Sequence, residues 1–239
     1  MAHTYSTEKI ENYLKAATVF RNCSPTSLKN LSEKAQVKHV KKGQLLFVSG
    51  QEAEYLYIIL TGWVRLYRET ENGDQAIIDV LSTDDIFGDH AIFENMKYGY
   101  SADSVDESIL ISIPMSLFKN EIETNHSFTL GFLSNVALAR KRQDIEIEHR
   151  SLQTAPERIG CFLLKQTPIV ENNKTIITLP YDKTLIASKL GMKPETFSRA
   201  LKKLKNEVGI TVKGARIEID DVQDLISYSC TSCSTKFPC

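Results

Sequence analysis

Two hydrophobic periods alternate along the chain. Ser6–Phe20 reads as an amphipathic helix with Ile10, Tyr13, Leu14 and Ala17 on one side. Ser24-Pro25 opens a second, the serine as cap and the proline in the first turn. From Val37 the period shortens to that of strands. Val40–Gly50 is two short runs broken by Gly43, and Tyr55–Leu60 is a strand ending at Thr61-Gly62. Trp63–Arg68 alternates with period two, and Glu71-Asn72-Gly73-Asp74 is a hairpin loop. Ala76–Leu81, Asp85–Gly88, Tyr98–Ala102 and Ser108–Ile113 continue the series. Many short strands with glycine turns predict a β-barrel or jelly roll.

Helical spacing returns at Pro114–Phe118 and runs on in a long helix, roughly His126–Leu152. Its first half is apolar. Leu138, Ile145 and Leu152 recur every seven residues, which predicts a seam against a second copy. Thr154-Ala155-Pro156 breaks the helix and predicts a hinge. Glu157–Gln166 resumes as a helix, Asp182–Leu190 is a short one, and Gly191 supplies a turn. A third helix spans Met192–Lys205, followed by a hairpin around Lys213-Gly214-Ala215. Helix, glycine turn, helix and hairpin make a winged helix-turn-helix. The predicted class is α+β: a jelly-roll sensor domain (1–125), a dimerisation helix (126–154), a winged helix-turn-helix (155–229) and a tail (230–239).

Charge sharpens that division. The 239 residues are nearly neutral overall, but Met1–Thr154 carries 16 Lys+Arg against 21 Asp+Glu, and Ala155–Cys239 carries 13 against 9. An acidic front and a basic rear suit a sensor joined to a nucleic-acid binder. No apolar run is long enough to span a bilayer and no signal peptide is evident, so the expected location is cytoplasmic and off the membrane. Five cysteines, an odd number, argue for a reducing compartment.

The chemistry concentrates on the third helix. Phe197, Leu201 and Leu204 fall on one face; Glu195, Ser198 and Arg199 fall on another, with Lys202 one turn on. Arginine pairs bidentately with guanine, a carboxylate accepts from cytosine, and serine serves base or phosphate. Thr184, Lys193 and Thr196 join this set, and Lys213 and Arg216 on the hairpin are placed to reach phosphates. Double-stranded DNA is the expected partner. An enzyme is not expected. No Gly-rich phosphate loop, nucleophile elbow or zincin motif occurs. The alternative of a cupin-type metal enzyme has His39 and His90 in the strand region but no His-x-His pair.

Between Lys9 and Ser229 the order of elements resembles the Crp/Fnr family of bacterial transcription regulators. The likeness is carried by Lys42–Phe47, Gly50, Tyr57–Tyr67, Phe87-Gly88-Asp89 and Pro194–Arg199. It implies a cyclic-nucleotide-binding-type jelly roll, a homodimer, and RNA polymerase as a partner. The Glu195-x-x-Ser198-Arg199 set resembles that of the Fnr-like branch, which implies a TTGA-type palindrome with Arg199 on guanine. Pro194–Arg199 and Trp63–Arg68 resemble the dissimilatory nitrate respiration regulators most, which implies nitric oxide sensed through haem.

Two departures bear on the signal. Cyclic-nucleotide-binding members place Gly-Glu and then Arg-Ser around the phosphate; the corresponding residues here are Gly88-Asp89 and Tyr100-Ser101. No cation stands at position 100, which argues against cyclic AMP. A single N-terminal cysteine, Cys23, argues against the iron–sulfur cluster of the oxygen-sensing members. The effector pocket is expected around Gly88, Asp89, His90, Tyr100, Ser101 and Phe132. His90 and His126 are the candidate haem ligands, and an apolar pocket for a metabolite fits as well. In the tail, Cys230 and Cys233 are spaced C-x2-C, with Cys239 as a third thiol, which predicts zinc or an iron–sulfur cluster, or a redox or metal sensor acting through them.

Overall fold

The computed structural model describes residues 6–166, 169–171, 174–179 and 183–231, which fall into two compact units dividing between Arg140 and Lys141. In the first, α1 (Thr7–Ala16) and α2 (Pro25–Lys34) are capped by the Ser6 and Ser24 hydroxyls, which accept from the Lys9 and Ser27 N–H groups at 3.3 and 3.0 Å. Eight strands follow: β1 (Gln36–Val40), β2 (Leu45–Phe47), β3 (Tyr55–Thr61), β4 (Val64–Glu69), β5 (Gln75–Leu81), β6 (Ile86–Phe87), β7 (Ser101–Ser104) and β8 (Ser108–Pro114). They form two antiparallel sheets of order β1-β8-β3-β6 and β2-β7-β4-β5, the expected jelly roll.

Local details depart from the sequence pattern. β4 does not alternate throughout: its pairing with β5 shifts register between Leu66 and Tyr67, and both are buried in succession. The expected strand at Asp85–Gly88 shrinks to β6, because Gly88 takes φ +82° and opens a 3-10 turn over Asp89–Phe93. The strand expected from Tyr98 starts only at Ser101.

Helices α3 (Met115–Thr124) and α4 (His126–Leu152) follow. Phe128 and Phe132 of α4 are buried in the jelly-roll core against Phe118 of α3, with ring centroids 5.6 and 5.3 Å away. The predicted seam needs correction. Ile145 is 9% exposed, buried in its own chain, while Leu138 and Leu152 are exposed. Leu130, Leu133 and Ile147 are also exposed, and with Ala137 they follow the three–four spacing of a helix contact. A seven-residue repeat marks burial without saying which chain does the burying.

The second unit begins where α4 stops. Thr154 and Glu157 form a capping box, with the Thr154 N–H and hydroxyl donating to Glu157 Oε2 at 2.6 and 2.8 Å. It starts α5 (Ala155–Leu164). A sheet of order β11-β12-β10-β9 carries β9 (Ile169–Glu171), β10 (Lys174–Thr178), β11 (Thr211–Lys213) and β12 (Arg216–Ile219). Between its two hairpins lie α6 (Lys183–Lys189) and α7 (Pro194–Val208); α8 (Val222–Ser229) closes the unit. Helix α5 packs closely on α8: a Cβ at Gly160 would lie 1.9 Å from Ser229 Oγ.

Candidate functional site

Local sequence sets up the exposed face of α7. Gly191 takes φ +64° in the turn after α6, Lys193 is the extended N-cap residue, and Pro194 occupies the first turn. Phe197, Ala200, Leu201 and Leu204 are buried. Each large apolar side chain so buried contributes about 1.5–3 kcal/mol, which fixes the helix by that face. Glu195, Ser198, Arg199 and Lys202 are left exposed, and Thr196 is half-buried. No hydrogen bond or ion pair to the described residues holds the side chains of Glu195, Ser198, Arg199 or Lys202. Thr184, one helix earlier, is exposed on α6. The row thus offers an acceptor, a hydroxyl and a five-donor fork, all unengaged.

On the wing, by contrast, Lys213 Nζ lies 3.1 and 3.3 Å from the Glu218 carboxylate oxygens. Arg216 donates through Nη2 to Glu171 Oε2 at 2.7 Å and through Nε to Glu218 Oε1 at 3.3 Å. The Lys213 hydrogen bond, foremost, holds Glu218 below the usual carboxylate range. The two cations expected to reach phosphates are therefore already paired with acids.

The jelly roll brings most of its predicted residues together. Tyr100 is buried, and its hydroxyl accepts from the Gly88 N–H at 2.9 Å and lies 3.4 Å from His90 Nδ1. Burial pushes the Tyr100 phenol well above its ordinary value, so the hydroxyl stays protonated. Asp89 Oδ1 is 3.7 Å from the same His90 nitrogen. Ser101 is buried and its hydroxyl accepts from the Ser49 N–H at 3.0 Å. Phe132 stands apart from this polar group: it stacks on Phe93 and meets Phe118 edge-on, as part of the core. Beside the group, Phe47 stacks on Tyr98 with centroids 3.6 Å apart. A bidentate pair missed in the sequence, Arg65 with Asp103, bridges β4 and β7, with the guanidinium 4.6 Å over Tyr67.

Comparison with known proteins fits both halves. Residues 37–125 match the cyclic nucleotide-binding domain family and residues 157–228 the Crp-like helix-turn-helix domain family. This pairing of domains supports a regulator of the Crp/Fnr family. It is 22% identical over 219 residues to the CRP-like cAMP-activated global transcriptional regulator of Mycobacterium tuberculosis, covering 90% of this chain and 98% of that protein. To the fumarate and nitrate reduction regulatory protein of Yersinia pestis it is 26% identical, covering 79% and 76%. A crystal structure from Ruegeria pomeroyi, provisionally named for cyclic nucleotide binding, superposes with a TM-score of 0.75 at 29% identity, covering 96% and 99%. The protein is a DNA-binding transcription regulator of the Crp/Fnr type.

Within this Crp/Fnr chain, Tyr100 puts a neutral hydroxyl, bonded to the chain's own backbone, where the sequence lacks a phosphate-binding cation. His90 could hold a haem iron through Nε2 with its ring proton on Nδ1, where the Tyr100 hydroxyl, 3.4 Å away, can accept it, the way outer partners orient ligating imidazoles. His126 is exposed at the start of α4. His39 is exposed on β1, and among the described residues no group of three or more His, Cys, Asp or Glu is placed to hold a metal ion. Cys230 is half-buried at the end of α8; Cys233 and Cys239 lie outside the described residues. Burial, then Glu121, pushes the Cys23 thiol up to about 12, which makes it a poor thiolate donor. No helix among the described residues is long and apolar enough to cross a membrane.

Proposed function

We propose that this regulator binds a TTGA-type palindrome as a homodimer and recruits RNA polymerase there. Arg199 pairs with guanine, Glu195 accepts from cytosine, and Ser198 bonds base or phosphate. The observation that carries this reading is the unengaged Glu195–Ser198–Arg199 row above a fully buried Phe197. Two copies of α4, joined along Leu130, Leu133, Ala137 and Ile147, would present two such rows to successive major grooves. In a retardation assay, Arg199→Ala should cost about 1–3 kcal/mol at the palindrome and relax preference at the guanine. Equal binding of wild type and variant would defeat the assignment.

The sensor, in this reading, answers to a signal other than a cyclic nucleotide. Tyr100 supplies no charge for a phosphate, and removing one from water without a cation is costly. Haem on Nε2 of His90 is the specific form supported by the resemblance and by the engaged Nδ1. Haem held there would supply an iron able to take nitric oxide. The check is an absorption spectrum after reconstitution: a Soret band in wild type, absent in His90→Ala. No Soret band in either protein would remove haem from the account.

A further inference from the structure

Away from the helix face and the jelly-roll group, the C-terminal unit holds a cleft open to solvent. It lies where the last two turns of α4, helix α5 and the end of α6 meet. Arg150, Arg158, Lys165 and Lys189 bring four positive charges to its walls, against one carboxylate, Glu146. At its base, Cys161 Sγ lies 3.7 Å from His149 Nδ1. Phe162 and Leu190 supply apolar wall.

Part of this charge has a structural use. Arg150 Nη2 donates to the Lys189 carbonyl at 3.2 Å, and Arg158 Nη1 to the Arg150 carbonyl at 3.4 Å. Cations near helix C-termini offset the dipole. One carbonyl apiece leaves most of the five donors of each guanidinium unused. Nε of Arg158 is buried with no partner. Among the described residues no carboxylate pairs with Arg150, Arg158 or Lys165. Arg150 also repels Arg158, adding to burial in lowering its affinity for a proton. His149 brings no compensating charge. Like charges gathered this closely, some half out of water, are unfavourable until an anion completes them.

We propose that this cleft binds a small organic phosphate, with Arg150, Arg158 and Lys165 on the dianion and Phe162 and Leu190 against the organic body. A dianion suits walls with this excess of positive charge. Occupancy would tie the end of α4 to the first helix of the helix-turn-helix. It is a second effector site, independent of the jelly roll.

The test is calorimetric titration of the full-length protein, at ionic strength fixed with chloride, using inorganic phosphate and phenyl phosphate as probes. Wild type should bind phenyl phosphate saturably, one per chain, and more tightly than inorganic phosphate. Lys165→Gln and Arg158→Gln should each weaken binding by about tenfold or more, as expected for lost charge-assisted contacts. Lys165 is exposed, so its variant separates lost binding from misfolding. No saturable binding of either probe, or unchanged binding in both variants, would overturn the proposal. So would loss of operator affinity in both variants without any probe binding, which would give the cations to duplex phosphates. The titration contains no DNA, so its failure leaves the reading of α7 standing.

Discussion

The exposed face of α7 and the Tyr100 group in the jelly roll differ in what their polar atoms already have. Glu195, Ser198 and Arg199 are exposed and unengaged within the chain. Tyr100, Gly88 and His90 form a network of polar atoms that meet one another, and Ser101 nearby is likewise engaged by the Ser49 N–H. An open row costs little in the free protein and awaits an outside partner. A closed network contributes to stability, and any ligand entering it must replace the bonds it breaks. The first feature is therefore read through binding and the second through folding.

Exchanging the readouts tests that difference most strongly. Tyr100→Phe removes an acceptor from the buried Gly88 N–H and should cost about 1–3 kcal/mol of stability in urea unfolding. Arg199→Ala, despite its effect on the operator, should change stability by no more than about 0.5 kcal/mol. A stable Tyr100→Phe protein would mean that the group is not the closed network described.

The wing sharpens the comparison from the other side, because it is basic in sequence and paired in structure. Arg216 must leave Glu171 and Glu218 before it can meet a phosphate. Arg216→Ala should therefore lower operator affinity less than Arg199→Ala does. Glu218→Gln frees Lys213, leaves Arg216 only its Glu171 partner, and should raise affinity for any duplex by about two- to fivefold at low salt, with a steeper salt slope. Unchanged affinity in Glu218→Gln would show that the wing lies away from the phosphates.

What the sequence disclosed followed how locally each feature is encoded. The helix-turn-helix was legible because Gly191, Pro194 and the spacing of Phe197, Leu201 and Leu204 all act within one or two turns. The β9–β10 hairpin and α8 were missed. Asn172-Asn173 between β-branched runs, and Asp221 before Val222 and Leu225, were the available signals. The pairing of Arg216 with Glu171 was not readable, since 45 residues separate them and sheet order alone brings them together. Ile145 shows the same limit on α4, where an apolar period could not say which surface was taken by the chain itself.

The smallest expected effect lies in the other closed pair, His149 with Cys161. His149 is buried; burial first, then Lys165, lowers its pKa below the ordinary 6.5, with Glu148 opposing. In the unfolded chain the imidazole titrates near 6.5. As pH falls through that value the unfolded chain takes up a proton that the folded one still refuses, so stability rises with pH across the window. The contribution is complete above about pH 6.5 and is lost progressively below it, until the folded imidazole also protonates. Urea unfolding at pH 7.5 and 5.5 should thus show a larger acid loss for wild type than for His149→Gln, whose side chain does not titrate. Equal losses would mean that the folded imidazole takes up a proton as readily as the unfolded one, and a smaller loss in wild type would mean that its contact with Cys161 is an ion pair rather than a neutral one.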